Sequence, residues 1–297
     1  MIAAVLHSKT ALLKIGFAFA VPLAIAGAPS APQRASENQA IANETVRVPP
    51  AAFSYRAAGE FNRERVSVSA PLLQLRRDAP VFIMKSQVTE AAFEECVRDG
   101  ACRALTRQNM ARSDVPVSGV SWEDATAYAR WLSSRTGETW RLPTDEEWVF
   151  AAGSRFRDDT ADAASDDFSQ RWLAKYDRES ARERTADRRT RRIGNFGANE
   201  HGLLDIAGNV WEWTDSCFVR QTLDAANRPT GEPTTNCGVR VVEGAHRTYA
   251  TSFLRDARAG GCSVGTPPDN LGFRLVRDEG SWLGRLVSSL KRRRPIG

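Results

Sequence analysis

The side chains with the widest chemical reach in this sequence are its five cysteines, Cys96, Cys102, Cys217, Cys237 and Cys262. A cysteine can close a disulfide, bind a soft metal as thiolate, or act as a nucleophile, and its compartment decides which. Cys96 and Cys102 flank Val-Arg-Asp-Gly-Ala, whose Asp-Gly turn favours closing them on each other. Cys217 and Cys237 bracket a loop rich in Pro, Thr and Asn. Pairing them would stabilise the fold by on the order of 3 kcal/mol in the loop-entropy picture. That leaves Cys262, in Gly260-Gly-Cys-Ser-Val-Gly-Thr-Pro-Pro-Asp269, as a thiol that is reactive, buried or differently paired. A Cys237–Cys262 bridge, with Cys217 free, is the competing arrangement. The chain has three histidines, and His7 lies in the N-terminal apolar region, so only His201 and His246 remain for the body. A three-histidine iron or zinc centre cannot be built from them. No phosphate-binding glycine loop and no nucleophile elbow occurs.

The elements that must position these residues begin after an export signal. Lys9 and Lys14 precede an apolar run from Ile15 to Ala26, and Ala24-Ile25-Ala26 offers the small residues of a cleavage site. The spacing predicts a signal peptide over 1–26, a flexible Ala/Pro/Ser/Gln-rich leader over 27–47, and a periplasmic mature protein. An oxidising compartment then permits the disulfides. The formal charge is +5, but the basic excess sits at the ends, in Lys9, Lys14, Arg285 and Lys291-Arg-Arg-Arg294. The body between is close to neutral, which argues against nucleic acid as a partner. The tail over 279–297 places Trp282, Leu283, Leu286, Val287 and Leu290 at helical spacing before that basic end. It is a candidate for contact with a membrane surface, or a solvated terminal helix.

Within the body, two helices are legible. One starts at the cap Ser121, with Asp124 three residues on and Val120 placed to staple onto Ala125, and it ends at Gly137. The other starts at Thr144 with Glu147 completing a capping box, carries Asp145, Glu146 and Glu147 in its first turn, and ends at Gly153. From Arg157 to Arg192 the charges alternate in sign, which predicts a solvated insertion with a short helix around Phe168–Tyr176. Short β-like runs follow at Val210–Thr214, Val239–Val242 and Phe273–Arg277. Eight tryptophans among many glycines point to a loop-rich core held by aromatic anchors.

Five segments stand in a fixed order: Phe82-Ile-Met-Lys-Ser-Gln-Val-Thr89, Pro116-Val-Ser-Gly-Val-Ser-Trp-Glu-Asp-Ala125, Arg141-Leu-Pro-Thr-Asp-Glu-Glu-Trp148, His201-Gly-Leu-Leu-Asp-Ile-Ala-Gly-Asn-Val-Trp-Glu-Trp-Thr214 and Asn270-Leu-Gly-Phe-Arg274. Together they resemble the formylglycine-generating enzyme, or sulfatase-modifying factor, family. The resemblance implies one domain over 48–278, an α+β fold related to C-type lectin domains, with little regular secondary structure. It also implies a structural calcium held by carboxylates of Asp205 and Glu212 and by main-chain oxygens at Gly208 and Val210, a hard-oxygen set of the kind calcium prefers. The alternative is that both carboxylates simply hold the loop by accepting hydrogen bonds.

The sequence departs from that family where the copper-dependent members carry two cysteines after a Gly-Gly-Ser-aromatic turn. The matching stretch is Gly244-Ala-His-Arg247, and Gly244 to Arg258 contains no cysteine. Copper(I) is a soft ion that wants paired thiolates, so no copper is expected. His246, Arg247, Arg255 and Arg258 are candidates for a ligand pocket around this turn, or for a salt-bridged loop core. His246 and Cys262 are the candidate catalytic groups if activity survives. The resulting expectation is an exported accessory or binding factor with a protein or peptide partner, in the manner of relatives that serve copper nitrite reductase. The alternative is an enzyme of divergent oxidative or maturation chemistry.

Overall fold

The computed structural model describes residues 45–105, 112–158, 189–255 and 270–279, with positions 170, 173, 174 and 177. The export signal, most of the leader, Arg258, Cys262 and all but the first residue of the basic tail lie outside the described residues. So does most of the 168–176 segment, of which positions 170, 173 and 174 are helical.

The first strands are β1 (Thr45–Val48), β2 (Ala51–Arg56), β3 (Glu60–Arg63), β4 (Val66–Val68), β5 (Leu72–Arg77) and β6 (Val81–Met84). Thus β1 begins inside the span read as leader. Next come α1 (Glu90–Arg98), α2 (Trp122–Thr136), β7 (Thr139–Arg141) and α3 (Asp145–Ala152). The chain ends in β8 (Trp211–Leu223), β9 (Pro229–Glu243), β10 (Thr248–Thr251), β11 (Leu271–Gly272) and β12 (Val276–Asp278). The class is α+β, with few helices and small curled sheets.

One sheet runs β1-β6-β12-β7, so the first and last strands of the domain both lie against β6 and bring its ends together. A second runs β10-β9-β8-β3-β4, with β11 beside β8, and β2 pairs with β5 alone. The two helices expected from their caps form as read. Ser121 accepts from the Asp124 N–H while the Asp124 carboxylate accepts from the Ser121 N–H, and Gly137 closes α2 in the left-handed region. Thr144 and Glu147 make the same reciprocal pair at the start of α3. Helix α1 is an addition to the sequence reading, which gave this stretch only its Asp99-Gly100 turn; Thr89 caps it by accepting from the Ala92 N–H.

Strands β8 and β9 are much longer than the short runs read from sequence. The added length of β9 is mostly polar, and its first ten residues are all exposed. No buried face imposes an alternating pattern on that part of β9, so the period-two signal is missing there. Two apolar clusters make the core. One gathers α1 and α2 with Trp140, Trp213 and Phe273. The other surrounds α3 with Trp148, Phe150, Ile83 and Leu203. Indole N–H groups inside find acceptors: Trp213 donates to the Val120 carbonyl and Trp148 to Glu212.

Candidate functional site

The stretch from Gly194 to Val210, which leads into Glu212 on β8, is irregular, and its shape is set by polar groups. The Asp205 backbone is left-handed, at φ 55°. Its carboxylate accepts the N–H of Gly194 at 2.6 Å and of Phe196 at 2.7 Å. Both oxygens are therefore taken by the loop itself. Glu212 is fully buried and paired with the equally buried Arg274, at 2.6 Å (Oε2 to Nε) and 2.8 Å (Oε1 to Nη2). Arg274 also donates to the carbonyls of Met84, Lys85 and Leu204. This one guanidinium ties the last segment of the domain to β6 and to the loop.

Three oxygens nevertheless converge on one point. The carbonyls of Asp205 and Gly208 and Oε1 of Glu212 lie 3.3, 3.0 and 2.8 Å from Nε2 of Gln87. Oε1 of Gln87 is buried and has no partner. Turning the carboxamide over would exchange these atoms without changing shape and add a fourth oxygen. The donor set thus fits calcium in kind. It differs from the sequence expectation in that Asp205 contributes its carbonyl and not its carboxylate. Its charge is low, because Arg274 neutralises Glu212. Among the described residues no group of three or more His, Cys, Asp or Glu side chains is arranged to hold a metal.

The turn after β9 is built differently. A Cβ on Gly244 would lie 2.6 Å from the Trp211 ring, so only glycine fits. His246 is nearly buried, edge-on to Trp211 with ring centroids 5.5 Å apart, and its carbonyl accepts the Trp211 indole N–H. Arg247 turns inward. Its Nε donates to Glu243 at 2.5 Å, its Nη1 to the Arg56 carbonyl at 2.6 Å, and its Nη2 lies 3.0 Å from Asp145. Asp145 also accepts the Tyr55 hydroxyl at 2.5 Å. The Tyr249 hydroxyl accepts the Gly59 N–H at 2.7 Å. Strand β2 and the turn at Gly59 therefore cover this cluster.

Burial pushes the Glu243 carboxyl well above the usual carboxylate range; Arg247 opposes this, and a hydrogen bond with Asp145 adds to it. Two carboxyls can share a hydrogen bond only if one holds a proton. Burial, then Asp145, raises the Tyr55 phenol, and burial pushes Tyr249 up to about 12. Arg247 stays charged, since Glu243 and Asp145 outweigh its burial.

Arg255 belongs to another cluster. It makes a two-pronged pair with Asp124 at 2.7 Å on each prong, beside the α2 cap. Burial works against the Asp124 carboxylate, but hydrogen bonds from Arg255 and Ser121 hold its pKa below the usual value. The structure does not bring Arg247 and Arg255 together. The Cys96–Cys102 and Cys217–Cys237 disulfides are both present. Sequence reasoning missed Gln87, Asp145 and Glu243 as site residues. Gln87 had a signal, since it sits in the Lys85-to-Thr89 segment that carries the resemblance.

Residues 31–279 match the family described as the sulfatase-modifying factor enzyme 1-like domain. A formylglycine-generating enzyme of Streptomyces coelicolor is 33% identical over 58% of this chain and 57% of its own length. The Mus musculus formylglycine-generating enzyme is 30% identical over 56% of this chain and 45% of its own. An "inactive C-alpha-formylglycine-generating enzyme 2" of Mus musculus is 29% identical over 56% and 50% respectively. The chain spans about half the length of the curated relatives it matches. Among solved structures, PvdO from Pseudomonas aeruginosa aligns with a TM-score of 0.49 at 20% identity, over 79% of this chain and 94% of that one. With the match running through nearly the whole described region, the chain belongs to the sulfatase-modifying factor, or formylglycine-generating enzyme, family.

Proposed function

We propose that this protein is an exported accessory or binding factor on the formylglycine-generating scaffold, with a protein or peptide partner, and that it does not make formylglycine by the copper route. The observation that carries this reading is the turn from Gly244 to Arg255. It offers no thiol, and its two arginines are engaged by Glu243, Asp145 and Asp124. Copper(I) held for oxygen chemistry needs paired soft ligands. Cys217 and Cys237, which precede the turn, are joined to each other. The likeness to a relative named as inactive supports a scaffold kept without that activity. Maturation of an exported redox enzyme, a copper nitrite reductase among them, is the form of this role we put forward. A weakly bound structural calcium at the Gln87–Glu212 point belongs to the same reading.

The test is mass spectrometry of a sulfatase-type cysteine peptide after incubation with the full chain, copper(I) and oxygen. The expected result is an unmodified peptide. Conversion that disappears on Cys262→Ser would overturn the proposal and make the chain an enzyme with a relocated thiol.

A further inference from the structure

The two disulfides sit in opposite surroundings. Cys96–Cys102 lies inside the main apolar cluster, with Cys96 fully buried and Cys102 7% exposed. Cys217–Cys237 joins β8 to β9 on the polar hairpin, where Cys237 is exposed and Cys217 half-buried. The register there is broken. Cys217 stands opposite Arg240, while its neighbour Phe218 stands opposite Asn236. Cys237, Gly238 and Val239 therefore bulge out of the ladder. The bulge leaves Cys237 exposed and brings Arg240 back beside Cys217.

Arg240 stands beside this disulfide. Its side chain is 12% exposed and stacks on the Trp122 ring at 3.9 Å. Its Nη1 donates to the Asp215 carbonyl at 2.7 Å and to Sγ of Cys217 at 3.3 Å. Its Nε is buried without an acceptor. The Asp215 carboxylate is 3.5 Å away and half exposed. Burial lowers the Arg240 pKa, with Asp215 opposing. The guanidinium is thus only partly compensated, and it points at one sulfur of the pair.

In thiol–disulfide exchange the attacked sulfur must be accessible, and the departing sulfur leaves faster when its thiolate is stabilised. A cation beside a cysteine lowers its thiol pKa. Here accessibility falls on Cys237 and the cation on Cys217. We propose that Cys217–Cys237 is a thiol-exchanging site: Cys237 takes the attack, Cys217 leaves as thiolate against Arg240, and the substrate is a solvent-accessible thiol. The incoming thiolate forms a new S–S bond to Cys237. The Cys217–Cys237 bond breaks, and its electron pair goes to Cys217. With a dithiol substrate, the second thiolate attacks the substrate sulfur of this mixed disulfide and expels the Cys237 thiolate. The substrate departs as a disulfide, the protein is left with two thiols, and a single turnover needs no other oxidant. This activity stands apart from the accessory-factor reading, because it uses neither the Gly244 turn nor copper.

The experiment uses the full oxidised chain in a Cys262→Ser background. Limiting glutathione at neutral pH is followed by an acid quench, alkylation and peptide mapping. Glutathione is expected on Cys237, with Cys217 alkylated and Cys96–Cys102 intact. Arg240→Gln is expected to slow the exchange about tenfold and to raise the Cys217 thiol, read from the pH dependence of its alkylation, toward the ordinary value of about 8.5. Arg240→Lys keeps a cation and is expected to retain most of the rate, which separates charge from simple loss of packing. A two-cysteine peptide run in parallel reports the source of the thiol: faster exchange than glutathione favours peptidyl thiols, and an equal rate favours small ones. Glutathione on Cys217, equal reduction of the two disulfides, or an unchanged rate in Arg240→Gln would each overturn the proposal.

Discussion

At the scale of single residues, the carboxyl of Glu243 has the clearest physical consequence. Its folded-state pKa is raised above the ordinary 4.5, chiefly by burial. A group of that kind stabilises fully below its unfolded pKa, and the contribution is lost as pH rises through the folded value. Thermal stability is therefore expected to fall as pH is raised above about 4.5. Glu243→Gln keeps the shape and stays neutral, so its melting temperature should fall less over the same range. Parallel slopes for the two proteins, measured by calorimetry, would remove Glu243 as the cause. None of this was legible in the sequence. A turn containing His246, Arg247, Arg255 and Arg258 reads equally as a pocket or as a salt-bridged core. What separates the two readings is the partner set, and Asp145 and Asp124 lie about a hundred residues earlier in the chain. Spacing along one segment carries no information about such partners.

At the scale of elements, the caps of α2 and α3 were legible because capping is local: donor and acceptor lie three residues apart. Strands β2 to β5 were not legible. The pair β2 and β5 buries no residue fully, and Val66, Leu72 and Leu73 are exposed, so the short Phe53–Tyr55 alternation is the one trace of a core face in β2. What β2 and the turn at Gly59 do contribute is a cover over the Arg247 cluster, latched by the Tyr55 hydroxyl on Asp145. Tyr55→Phe removes the donor to Asp145 but leaves the ring. Leaving a buried acceptor without its donor costs about 1–3 kcal/mol. The variant is expected to lose that much in denaturant unfolding and to expose β2 and β3 to faster amide exchange. A loss below about 0.5 kcal/mol would mean that the latch lies in the main-chain contacts of Arg56 and Gly59 instead.

At the scale of the whole molecule, closure of the domain runs through Arg274. It is fully buried on the last segment, it pairs with Glu212, and it reaches the carbonyls of Met84 and Lys85 at the end of β6. The oxygens of Asp205, Gly208 and Glu212 gather beside this pair, and the Gln87 amide fills their centre. A divalent ion and that amide nitrogen compete for one point. Because Arg274 cancels the Glu212 charge, and charge count sets calcium affinity, binding is expected on the order of millimolar. Calcium at such levels should raise the melting temperature by mass action, and a chelator should reverse it. Gln87→Glu changes both sides of this balance. Without calcium it replaces a donor by a carboxylate facing three acceptors, so the variant should melt below the wild type. With calcium it adds a negative ligand, so its melting temperature should climb more steeply and at lower concentration. Titration of both proteins followed by calorimetry decides the matter. If neither responds to calcium, the amide alone holds the loop, and Arg274 is the only cation the domain needs for its closure.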